Sequence, residues 1–115
     1  MEICFPDVES QKLFCHEHRL KAEFGAALAG LIACRLTILD VASHLGLLPA
    51  AGPIDLRSNA GEVSAFSVAL GPDHRLYFRA LEFERAGDGA IDLDTVRHLE
   101  IIGVAQPPAK KARKR

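Results

Sequence analysis

Arg75, Tyr77 and Arg79 recur at every second position of the string His74-Arg75-Leu76-Tyr77-Phe78-Arg79-Ala80. In an extended chain that spacing puts the three on one face and His74, Leu76, Phe78 and Ala80 on the other. An arginine fork binds phosphate bidentately and stays charged. Two such forks around a phenol could hold a phosphate and stabilise charge developing on it, and Arg57 could join them from a neighbouring strand. The ordinary reading of the same spacing is the solvated face of a half-buried sheet, which alternation alone favours.

Other chemistry-bearing strings are weaker. Cys15-His16-Glu17-His18 offers at most two ligands, Cys15 and His18, on one helical face, and no second pair completes a tetrahedral site, so no metal is expected. No glycine-rich phosphate loop, nucleophile elbow or paired-carboxylate motif occurs, and no cofactor is expected. His98 reads as a sheet histidine with a minor place as a substitute acid-base group. Arg35 is expected to pair with a carboxylate.

These residues need a scaffold, and the rest of the chain describes one. Residues 2 to 5 are β-prone, and Pro6-Asp7 closes them with Asp7 as N-cap of a helix through about residue 15. Leu28, Ile32, Leu36 and Leu39, with Phe24 one turn earlier, predict a second, longer helix over 20–45. Its surface is apolar nearly all round, so a strip left uncovered should bind a partner helix or another copy of the chain. Gly46, Pro49 and Gly52-Pro53 stop it.

The period then changes to alternation. A short strand over 54–57 leads to Phe66, Val68 and Leu70 on one strand face, with Ser67 and Ala69 opposite. Gly71-Pro72-Asp73 turns into the 74–80 strand. A polar loop over 85–94 precedes a last strand over 96–104, whose Ile101-Ile102-Gly103-Val104 reads as central and covered on both faces. The expected fold is α+β, an N-terminal helical hairpin packed on one face of a mostly antiparallel four- to five-stranded sheet.

The 115 residues, 49% hydrophobic, suit one domain. Residues 1–109 hold nine basic against fifteen acidic residues, while five basic residues (Lys110, Lys111, Arg113, Lys114, Arg115) fall in the last six positions. Residues 1–106 are therefore read as the folded domain and 107–115, after Pro107-Pro108, as a basic tail expected to be disordered. Cys4, Cys15 and Cys34 are odd in number without a C-x-x-C pair, which fits a reducing compartment and small buried hydrophobes. With no signal-peptide pattern and no long apolar run, a cytoplasmic location without membrane contact is expected.

Several strings in this order resemble the RelE/HigB superfamily of toxins, within the broader ParE/RelE group and nearer its HigB or killer-protein branch. They are Lys12-Leu13-Phe14, Phe24-Gly25 before a long helix, Arg35-Leu36 with Leu39, Phe66-Ser67-Val68, His74-Arg75-Leu76-Tyr77-Phe78 and Leu99-Glu100-Ile101-Ile102-Gly103-Val104. The resemblance implies a RelE-like toxin of a type II toxin-antitoxin system. Such a toxin is a ribosome-associated endoribonuclease, an mRNA interferase that cleaves messenger RNA and inhibits translation. A cognate antitoxin, expected to be a small helix-turn-helix protein, silences it, and a homodimer is a further expectation. Arg75 matches the superfamily's arginine at the start of this strand and is carried over as catalytic. Geometry adds Tyr77 as a second catalytic residue, and Arg57 and Arg79 as RNA-binding.

The chain also departs from that pattern. Ser67 and Ala69 stand where basic side chains are usual, the loop Ser58-Asn59-Ala60-Gly61-Glu62 lacks lysine and arginine, and Ala105-Gln106-Pro107-Pro108 replaces an Asp-x-His type ending. These departures favour an alternative, a catalytically degenerate RelE-fold binding or regulatory module that pairs with an antitoxin or self-associates.

Overall fold

Asp7 starts the first helix with an extended backbone and a carboxylate that accepts a hydrogen bond from the Ser10 amide at 2.7 Å. One free donor of the first turn is thereby satisfied. The computed structural model describes residues 1–58 and 64–105. Its strands are β1 (Glu2–Cys4), β2 (Arg57–Ser58), β3 (Ala65–Leu70), β4 (His74–Ala80) and β5 (His98–Ala105), and its helices are α1 (Val8–Cys15), α2 (Glu17–Phe24) and α3 (Ala26–Val41). The basic tail and most of the 58–62 loop lie outside the described residues.

The stretch expected as one helix over 20–45 is two helices, so three helices replace the hairpin. Gly25 divides them at φ +84° and ψ +160°, a region open essentially to glycine alone. Its amide still closes α2 by donating to the Lys21 carbonyl, and its own carbonyl accepts the Ala29 amide of α3, both at 2.9 Å. Periodicity runs through this junction because the apolar positions stay in phase across it. A Cβ at position 25 would meet nothing within 4 Å, so the cost of Gly25→Ala is backbone strain alone. We expect it to lose about 2 kcal/mol, or roughly 8 °C in thermal midpoint. An unchanged melting curve would show that the junction does not need glycine.

The sheet has the order β1-β5-β4-β3-β2. β1 pairs parallel with β5 and all other neighbours are antiparallel. Phe14 of α1, Leu20 of α2, and Ile32 and Leu39 of α3 pack in one core with Phe66, Val68, Leu70, Leu76, Phe78, Ala80, Leu99 and Ile101. Phe66 and Phe78 are cross-strand partners with stacked rings 6.3 Å apart. The helices thus cover one sheet face, as β3 and β4 alternation predicts.

Three local expectations fail. Tyr77 pairs with Gly103 and Phe78 with Ile101, so Ile102 bulges out of β5 and is 43% exposed rather than covered on both sides. Cys15 and Cys34 are exposed and Cys4 is only half-buried. Arg35 is buried, but it donates to the carbonyls of Ala69 (2.8 Å) and Pro53 (3.1 Å) rather than to a carboxylate. That bonding ties α3 to the segment that leads into β2. Ala27, Gly30, Cys34, Thr37 and Val41 leave an exposed strip on α3.

Candidate functional site

The sheet face opposite the helices gathers the arginines that strand spacing singled out. Register places Arg57, Ser67, Tyr77 and Gly103 in one row across β2, β3, β4 and β5. Ala69, Arg75 and Ala105 form the next row on one side, and Ala65, Arg79 and Glu100 the next on the other. Tyr77, Arg79, Arg75 and Arg57 are therefore neighbours. His98 lies further along β5, its Nδ1 3.7 Å from Glu82 and 3.9 Å from Glu2, apart from this group.

Arg75 departs from a solvated strand arginine. It is 7% exposed, and its side chain lies across β3 instead of pointing into water. Nε donates to Ser67 Oγ at 2.8 Å and Nη2 to the Ser67 carbonyl at 3.1 Å. Nη1 donates to Asp55 Oδ2 at 3.1 Å, and Nη2 reaches the Asp55 carbonyl. Ser67 and Ala69, read from sequence as lost cations, leave the room this guanidinium occupies: one is its partner and the other its cross-strand neighbour.

Asp55 is the site residue that strand reading missed. The segment expected as a strand over 54–57 instead turns at Asp55, whose φ is +47°, and pairing begins only at Arg57. Its Oδ2 lies 2.9 Å from Arg57 Nη2 as well as 3.1 Å from Arg75 Nη1. Partial burial pushes this carboxyl upward, but hydrogen bonds and charge from Arg57 and Arg75 outweigh it and hold the group below the usual aspartate range. A signal existed in the sequence, an acid two residues before Arg57 in a Gly-Pro-led segment, where turns are frequent.

Arg79 forms an ion pair with its cross-strand partner Glu100 at 3.1 Å. The hydroxyl of half-buried Tyr77 has no hydrogen-bond partner among the described residues. A Cβ on Gly103, the cross-strand partner of Tyr77, would meet no described atom within 4 Å. The arrangement can present one phenolic hydroxyl and the exposed part of Arg57 to an anion. Among the described residues no group of three histidine, cysteine or acidic side chains could hold a metal ion, and no helix is long and apolar enough to cross a membrane.

No family model and no curated protein matches the chain. Among solved structures it is similar to a YoeB/ParE toxin from Agrobacterium tumefaciens, at 15% identity and a TM-score of 0.53, over 94% of this chain and 100% of that one. Three helices on a five-stranded mixed sheet are thus the fold of a RelE/ParE-like toxin.

Proposed function

We propose that the chain is the toxin of a type II toxin-antitoxin pair and cleaves messenger RNA on its helix-free sheet face. The observation that carries this reading is the row Arg57-Ser67-Tyr77, flanked by Arg75 and Arg79, on a toxin fold. Cleavage by a ribose 2′-hydroxyl forms a bond from that oxygen to the adjacent phosphorus and breaks the bond to the 5′-oxygen. The 2′-proton must leave and the 5′-oxygen must gain one. Tyr77 gives its phenolic proton to the departing 5′-oxygen, and the 2′-proton passes to solvent water, from which the phenol is reprotonated. Arg57 and Arg79 bind the phosphate, and Arg75, anchored on Ser67 and Asp55, is the fixed arginine of the phosphate site beside them. The HigB branch, ribosome association, a cytoplasmic setting and a helix-turn-helix antitoxin seated on the exposed α3 strip belong to this proposal.

One observation favours the second reading, a non-catalytic antitoxin-binding module. Arg57 and Arg75 share the Asp55 carboxylate, and Arg79 faces Glu100, so the face is largely neutralised from within. Induction of the chain without a partner separates the two. The toxin reading expects growth arrest, relieved by Tyr77→Phe combined with Arg57→Ala, since each transition-state contact is worth roughly a hundredfold in rate. Arg85→Ala, in the 85–94 loop, is the control and should not relieve it. Normal growth with the soluble chain present would leave the binding module.

A further inference from the structure

Asp55 joins an uncommon backbone to an uncommon position. It is the one non-glycine residue at positive φ among the described residues, a conformation aspartate tolerates better than most. Its surroundings fix it there. The Ile54 carbonyl accepts the Ala69 amide at 2.8 Å, Leu56 donates to the Pro49 carbonyl at 2.9 Å, and Arg35 holds the Pro53 carbonyl. The turn so pinned aims a single carboxylate oxygen between two guanidiniums, which is how a phosphate oxygen is held by an arginine pair. The two arms differ. Arg75 is 8% exposed in its side chain and anchored on Ser67, whereas Arg57 is 60% exposed and, among the described residues, bound to Asp55 alone.

We infer that Asp55 is an internal counter-anion that closes an anion site between Arg57 and Arg75, and that a phosphodiester of single-stranded RNA enters by displacing its carboxylate. This rests on the reading of the face as an RNA site and adds a regulatory state to it, a free chain held at low affinity by its own side chain. Because the carboxylate is tethered, its effective concentration at the arginines is high, and an incoming phosphate must outcompete it. The exposed Arg57 can swing between the two anions while Arg75 stays in place.

The test compares the native chain with Asp55→Asn and Asp55→Gly, both able to keep the positive φ, in binding a short fluorescent oligoribonucleotide at fixed salt. Both variants should bind at least about tenfold tighter. Asp40→Asn, which removes the same charge at the exposed end of α3, should change affinity by less than about twofold. Equal affinity for native and Asp55 variants, or an equal gain in Asp40→Asn, overturns the lock and leaves the RNA face standing. No binding by any form overturns both. If neither Asp55 variant folds, the carboxyl carbon signal of Asp55 in the native chain decides. Its movement as the oligonucleotide saturates supports displacement, and a fixed signal while β3 and β4 amides shift refutes it.

Discussion

Arg75→Ala lowers the thermal midpoint by roughly 10 °C, the equivalent of about 3 kcal/mol. A solvated strand arginine would cost almost nothing on removal. Here the guanidinium is buried and makes four hydrogen bonds, to Ser67 and Asp55, so truncation leaves Ser67 Oγ without this donor and the Asp55 carboxylate with Arg57 as its remaining arginine. The pH dependence changes with it. Asp55 is held below its ordinary value when folded, so its contribution is present above the unfolded carboxyl value of about 3.9 and is lost as pH falls through the folded one. Without Arg75 that acid limb becomes shallower, a difference readable in melting curves between pH 2 and pH 5. A variant that melts like the native chain would show that Arg75 does not hold the 53–57 segment.

Phe78→Ala costs more, about 4 kcal/mol, and leaves little folded chain at growth temperature. Phe78 is fully buried at the centre of the sheet, stacked on Phe66 across β3 and β4. Phe66→Leu, which keeps most of the volume at the less enclosed ring, should lose under about 1.5 kcal/mol. Denaturant midpoints of the two variants compare them directly. Similar losses from both would mean that the pair does not organise the sheet core as the geometry implies.

Much of the fold is written in local patterns, because each element obeys a rule that neighbouring residues suffice to state. Alternation at Phe66, Val68 and Leu70 and at Leu76, Phe78 and Ala80 fixed which sheet face meets the helices, and Asp7 marked the first cap. Gly25 escaped because periodicity measures phase and not φ, and phase is kept across the break. The Ile102 bulge escaped because an extra residue in β5 shows only against the strand it pairs with.

The candidate site was half legible for the same reason. Parity places Arg75, Tyr77 and Arg79 together, yet it cannot tell an arginine in water from one laid across a small neighbour. Only pairing brings Ser67 and Ala69 beside Arg75 and turns apparent losses into the space that houses it. Asp55 was hidden by its turn, since its role comes from a left-handed residue held by contacts with Arg35 and Ala69, both distant in sequence.

Mapping the 5′-ends of messenger RNA after brief induction of the chain alone separates message cleavage on this sheet face from binding without cleavage. New ends are expected within translated regions of many messages, each with a free 5′-hydroxyl, appearing before growth slows. They should be absent from the Tyr77→Phe and Arg57→Ala double variant made to the same soluble level. Message ends indistinguishable from those of uninduced cells, with soluble chain present, would contradict it.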